Sequence, residues 1–323
     1  MIGRTAAAVA AVEAVLIAAT AIIALDIYAH HRVEDVGGLN MWGYRGRVAL
    51  RRQPNEVRVE VVGGTRAFGW GEPGSSLASQ IRRLMLLAID RPGAPARPVT
   101  VVNVGRLGAL PDSYPATLEH FAYLRPDIVC IYDDLGVRGA VPTRSAVYDL
   151  TGYMPALPLV VDEKGKLWRT GAVARGYDSD PAAVVVPAPK RLAGASLEAA
   201  GEAMAVTDAA AARWLGSGSR ARADQASDGS YVDSMLTSID SAHRHAAAVV
   251  VVLSPAEMPM QQRNAAALRT RLPEAAPWLR VVDLDAEPRL RRGDLRYDGW
   301  NYGGAATTVA AEHITPAVLE FIR

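Results

Sequence analysis

The chain has 323 residues, half of them hydrophobic, with 35 Lys and Arg against 34 Asp and Glu and a net charge of +1. Such a chain can bury a large core, which excludes a wholly disordered protein. The charge balance argues against a dedicated nucleic-acid binder, which needs a basic surplus to neutralise phosphates, and the single cysteine, Cys130, excludes an intramolecular disulfide or a cysteine-built zinc cluster.

The first predicted element is a run of mostly apolar residues from Ala6 to Leu25, preceded by Arg4 and ended by Asp26. About twenty such residues in a helix cross a hydrocarbon core about 30 Å thick. Glu13 interrupts the run, and a charge there costs roughly 2.5–3.5 kcal/mol on insertion scales. The segment flows into Asp26–Tyr28 without a small-x-small cleavage site, so residues 1–29 are expected to be an anchor retained in the membrane. Basic residues on both flanks leave the orientation open.

A linker, 30–55, contains the turn-rich GYRGR of Gly43–Arg47. A first strand is predicted at 57–62 (VRVEVV), ended by Gly63-Gly64-Thr65. A helix follows at 75–89, with Leu77, Ile81, Leu84, Met85 and Ala88 at helical spacing. Further strands are expected at 99–102 (VTVV), 127–132 (DIVCIY), 249–253 (VVVVL) and 279–284 (LRVVDL), with helices at 115–124, 197–215 and 305–322. Continuous apolar strands alternating with helices predict a three-layer α/β/α fold around a mostly parallel sheet. The stretch from about 150 to 230 is rich in Ala, Gly, Pro and Ser. It is expected to be an irregular insertion in a domain spanning 56–323.

In open parallel sheets, ligands bind beyond the carboxyl ends of the strands. The residues to read are therefore Gly63-Gly64-Thr65, Gly105–Gly108, Asp133–Gly136 and Asp298–Asn301. Four segments in this order resemble the SGNH/GDSL hydrolase family: VEVVGGTRAFGWG at 59–71, VVNVGRLG at 101–108, RPDIVCIYDD at 125–134 and YDGWNYGGAATTVAA at 297–311. With an N-terminal membrane segment and a Trp-Gly-Tyr-Arg-Gly such as Trp42–Gly46, the chain is similar to a bacterial, membrane-anchored subgroup. The resemblance implies a flavodoxin-like sheet, an extracytoplasmic domain, ester hydrolysis without a cofactor or metal, and a carbohydrate or ester ligand of the cell envelope.

Carried over position by position, the family's serine nucleophile falls on Thr65 and its histidine on Asn301. Its asparagine oxyanion donor falls near Gly136. The glycine oxyanion donor is kept at Gly108 and the triad acid at Asp298. An asparagine amide accepts no proton at neutral pH, so Asn301 cannot act as the base a hydroxyl nucleophile needs. Losing a triad member costs about 10⁴ to 10⁶ in turnover, and losing an oxyanion donor about 10² to 10³. The expectation is a hydrolase-like fold with an impaired site, which leaves open whether the chain is an enzyme.

Other residues are weighed against this. His243 stands in a literal Asp-x-x-His, but at a helix end far from the strand ends. His245, His120 and His313 read as surface or core residues, and His30 and His31 as interfacial. Asp133 and Asp134 read as solvated loop acids, with a carboxylate cluster including Asp298 as the alternative. Arg66 and Arg106 either pair with those acids or bind an anion. Ser75, Ser76 and Ser113 are weaker substitutes for the nucleophile, and Trp70 and Trp300 either pack or stack on a sugar ring. Two alternatives stay open: an active esterase or deacetylase using Thr65 with another base, and a scaffold or partner-binding protein. The oligomeric state is not legible.

Overall fold

Five runs rich in Val, Ile and Leu form five strands, because β-branched side chains pack well on a pleated surface covered on both faces. They are β1 (Val57–Gly63), β2 (Val99–Asn103), β3 (Ile128–Asp133), β4 (Ala248–Leu253) and β5 (Leu279–Asp283). The computed structural model describes residues 2–34, 40, 42–69, 76–89, 97–106, 109–133, 135, 155–170, 187–214, 231–273, 276–296 and 302–322. The helices, in chain order, are α1 (Ile2–Glu34), α2 (Thr65–Phe68), α3 (Leu77–Ile89), α4 (Tyr114–His120), α5 (Leu157–Thr170), α6 (Ala188–Trp214), α7 (Tyr231–His245), α8 (Pro259–Arg271) and α9 (Gly304–Glu320).

The strands pair in parallel in the order β2-β1-β3-β4-β5. This is the flavodoxin-like order, in which the chain reverses its direction of winding at β1 and β3. Alternate side chains serve the two faces. Val57, Val59, Val61, Cys130 and Val250 join one core with Leu77, Ile81 and Met85 of α3 and Val309, Ala310 and Ile314 of α9. Val62, Val129, Val249 and Val251 join the other, with Leu118 of α4 and Val232, Met235 and Ile239 of α7. Helices on both faces of a parallel sheet make the three layers expected from the sequence.

β2 and β5 are the two outer strands, and β5 is the more exposed. Its alternate residues are less buried, and Val281 is 42% exposed. Arg280 pairs with Glu320 at 2.6 Å, and Asp283 with Arg269 at 2.7 Å.

The stretch 150–230, expected to be an irregular insertion with one helix at 197–215, holds two helices, α5 and α6, packed as a hairpin. Its sequence misleads because the glycines that suggest loop are contact points between helices. A Cβ on Gly165 would stand 2.3 Å from the backbone nitrogen of Glu198, and one on Gly194 would stand 2.4 Å from that of Arg169. Only hydrogen fits at such a crossing. Arg169 also donates to Glu198 at 3.0 Å. The rest of that stretch, 150–154, 171–186 and 215–230, lies outside the described residues.

α1 is 33 residues long, about 50 Å at 1.5 Å per residue. Its segment Val9–His31 is long and apolar enough to cross a membrane. From Val9 to Leu25 every residue is exposed, including Leu16, Ile17, Ile22 and Ile23. Cover begins at Asp26. Asp26 accepts a hydrogen bond from the first backbone N–H of α5, at Leu157, at 2.6 Å, and lies 3.5 Å from His30. Asp26, Ala29 and His30 are buried there.

Candidate functional site

The sequence places the site at the carboxyl end of β1, and the fold makes this the switch point between β1 and β3. β1 ends at Gly63, whose φ of 156° and close packing demand glycine: a Cβ would lie 1.9 Å from the carbonyl oxygen of Tyr132 in β3. After Gly64 the chain turns at once into α2, with Thr65 as its first residue.

Four residues are too few to hold a helical turn alone, so α2 depends on its neighbours. Gly105, beyond β2, permits contact from one side, since a Cβ there would be 2.7 Å from the backbone nitrogen of Phe68. Asn103, the last residue of β2, donates to the carbonyls of Ala67 at 3.0 Å and Phe68 at 3.1 Å, while its Oδ1 accepts from Gly105 N–H at 3.0 Å. Arg45 closes the other end. Its guanidinium donates to the carbonyls of Phe68, at 2.7 Å, and Gly69, and stacks 4.4 Å from the Phe68 ring centroid. The Arg45 backbone N–H donates to Asn103 carbonyl at 2.9 Å. The Trp42–Gly46 motif is thus a strap that fastens the turn carrying Thr65.

The arginine after Thr65 joins a charged cluster. Arg66 lies 4.6 Å above the Tyr302 ring, and its Nη2 is 3.9 Å from Glu257 Oε1. Arg296 grips both oxygens of Glu257, donating to Oε2 at 2.8 Å. Glu257 follows β4 and Tyr302 precedes α9, so three segments converge beside α2. Arg66 therefore does pair with an acid, but with Glu257, which sequence reasoning had not singled out. Arg106 donates its backbone N–H to Gly63 carbonyl at 3.0 Å, with its guanidinium 6.0 Å from the Phe121 ring centroid.

Asp133 is not a solvated loop acid. It is the last residue of β3 and 1% exposed. Its Oδ1 accepts from the Tyr114 hydroxyl and its Oδ2 from the Tyr231 hydroxyl at 2.8 Å. Its carbonyl accepts from Ser254 at 2.5 Å. Each carboxylate oxygen accepts from a tyrosine, so Asp133 ties α4 and α7 together at the end of β3.

The four histidines of the α/β body lie elsewhere. His243 stacks on Trp278 with ring centroids 3.9 Å apart, and His245 lies 3.4 Å from Glu119; both end α7, on the side where β4 begins. His120 ends α4, against Phe121. His313 pairs with Glu287 at 2.7 Å, beyond the outer strand β5. Ser76 bonds Ser79 at 3.0 Å at the start of α3, and Ser113 donates to Leu110 carbonyl at 2.7 Å, so both serve helix starts. Trp70, Ser75, Gly108, Asp134, Gly136, Asp298, Trp300 and Asn301 lie outside the described residues. A groove of about 600 Å³, lined by Arg269, Leu272, Ala276, Leu279 and Arg280 among others, lies at the opposite edge of the sheet, away from Thr65.

Neither a protein-family profile nor a curated protein sequence matches the chain. Solved structures do. A two-domain esterase active on acetylated mannans aligns at 12% identity over 83% of this chain, with a TM-score of 0.37. The chain spans about half, 49%, of that esterase. A protein from Desulfitobacterium hafniense, described as lipolytic and of the G-D-S-L family, aligns at 11% identity over 81% of this chain and 99% of its own length, also with a TM-score of 0.37. Overlap this loose leaves the fold assignment to rest on strand order and register.

The described half of the site holds a hydroxyl on a helix start, at a switch point, next to a cluster of two arginines and one carboxylate. It can present Thr65 and orient a polar group. The proton acceptor that would activate the hydroxyl is not among its imidazoles. Sequence reasoning missed Glu257, Arg296 and Tyr302 because their nearness to Thr65 is made by the sheet. Arg45 and Asn103 carried a signal, since both lie in the segments that resemble the family.

Proposed function

We propose that the chain is a membrane-anchored SGNH/GDSL hydrolase-like protein whose altered site binds an ester or carbohydrate ligand of the cell envelope with little or no turnover. One observation carries the reading. Thr65 stands where the family nucleophile stands, at the end of β1, while His120, His243, His245 and His313 are all held elsewhere. Asn301, at the family histidine position, cannot take up a proton. The exposed apolar stretch of α1, with no protein cover from Val9 to Leu25, supports the anchor. Gly108 as an oxyanion donor and Asp298 as the triad acid keep the roles that the resemblance assigns them, while Gly136 and Asn301 stand at the positions of the lost donor and the lost base.

The retained hydroxyl of Thr65 favours, as a second reading, a slow esterase with an unconventional base.

Hydrolysis of a short-chain aryl ester by the detergent-solubilised full chain separates the readings. The wild type and Thr65→Ala should both be silent. The triple variant Thr65→Ser, Gly136→Asn, Asn301→His should gain activity, because it restores nucleophile, oxyanion donor and base together. Activity in the wild type that Thr65→Ala abolishes would establish the second reading instead.

A further inference from the structure

Two stretches of chain lie next to α1, and the first of them leads to the carboxyl edge of the sheet. The first is the N-terminal link. Six peptide steps separate Glu34, the end of α1, from Asn40, a reach of at most about 20 Å. Asn40 is buried and begins the strap: it accepts from Gly43 N–H at 3.0 Å and donates through its side chain to Gly46 carbonyl at 2.9 Å. Arg45 of that strap holds α2 and pairs with the end of β2. The end of the apolar helix is therefore tethered closely to the carboxyl edge, where Thr65 sits. The second stretch is α5, the first described helix after β3. Its first N–H is bound by Asp26, at the point where exposure of α1 stops. Trp42, half exposed at the tip of the strap, is the kind of side chain that settles at a membrane–water boundary.

We propose that the carboxyl edge of the sheet faces the bilayer, so that the ligand of the Thr65 site is a group presented at the membrane surface by a lipid-anchored molecule. The inference rests on the reading of α1 as a membrane helix and adds to it the direction of the site. A soluble ligand would have to enter between the protein and the lipid headgroups. A headgroup carrying an ester or sugar already lies there.

The test uses the full chain reconstituted in phosphatidylcholine vesicles doped with a headgroup nitroxide lipid. Cys130 is buried and its thiol is pushed up to about 12 by burial, so it does not compete for a maleimide fluorophore. One label goes on Met260→Cys, exposed in the first turn of α8 just after β4 and near Glu257; the other goes on Gln53→Cys, exposed before β1 at the opposite edge. Quenching should be several-fold stronger at 260 than at 53. Equal quenching, or stronger quenching at 53, overturns the proposal. Flotation of the same samples reads the anchor separately. A chain that fails to float defeats the anchor reading and this inference with it, whereas a floating chain with the wrong quenching order defeats only the inference.

Discussion

Glu60 sits in the middle of β1, beside Val102 of β2 and Val129 of β3, on the face covered by α4 and α7. Its side chain is buried, and Oε1 has no hydrogen-bond partner. The nearest basic residue along the strand, Arg58, is engaged with Glu56 at 2.9 Å and with the carbonyls of Leu124 and Leu50. Burial pushes the Glu60 carboxyl up from 4.5 to about 8. Between those values the folded chain holds a proton that the unfolded chain has released, so stability falls as pH rises through about 4.5 to 8 and levels off above. Each pKa unit is worth about 1.4 kcal/mol, so the fall amounts to a few kcal/mol. Glu60→Gln removes the titration. Thermal melts of the two proteins at pH 5 and pH 9 should show a markedly flatter pH dependence in the variant. Parallel slopes would show that Glu60 ionises in the folded state as freely as in water. Nothing in VRVEVV announced this, because a Glu in an apolar strand reads equally well as the outward residue of an edge strand.

At the scale of elements, the strands were the most legible part. The valine-rich runs at 57–62 and 249–253 lie within one residue of β1 and β4, because β-branched residues fill both faces of a covered sheet, even though β1 also buries Arg58 and Glu60. The helix predicted at 197–215 begins earlier, at Ala188, and α5 was not foreseen. Gly165 is one of the glycines that made 150–230 read as irregular, yet it is where α6 crosses. α2 was equally hidden, since a four-residue helix made by its neighbours has no periodicity of its own. Its dependence on Arg45 is testable. Arg45→Ala leaves the Phe68 and Gly69 carbonyls without their charged donor and removes the stack on Phe68, a loss of about 1.5–3 kcal/mol. The variant should melt several degrees lower and exchange amide hydrogens faster at Thr65–Phe68 than at β3. Unchanged melting and exchange would mean that Asn103 alone suffices. Arg45→Lys should recover only part of the loss, since an ammonium cannot stack and fork as a guanidinium does.

For the whole molecule, the proposed anchor raises the question of how an α/β body with balanced charge would be held at a bilayer. The net charge of +1 supplies little attraction to anionic lipid, so on that reading attachment comes from α1. The full chain is expected to stay with membranes through washes in 1 M salt and to leave only with detergent; release by salt alone would make the contact electrostatic and α1 a soluble helix. α1 was legible as a helix long and apolar enough to cross a membrane, because hydropathy over about twenty residues needs no tertiary context. The carboxyl edge at β1, where the sequence places the site, was legible, but the side chains that surround it were not. Asp133 shows why: its burial under Tyr114 and Tyr231 depends on residues 19 and 98 positions away in the chain.

If α1 anchors the chain as proposed, copies diffuse in two dimensions, where they meet far more often than at the same number in solution, and an open sheet edge becomes a hazard. β5 is such an edge, an outer strand of the sheet with an exposed Val281. Arg280 and Asp283, each held in place by a partner, flank that valine with charge. A second β5 approaching to zip alongside would have to strip water from both, which opposes edge-to-edge polymerisation between crowded copies.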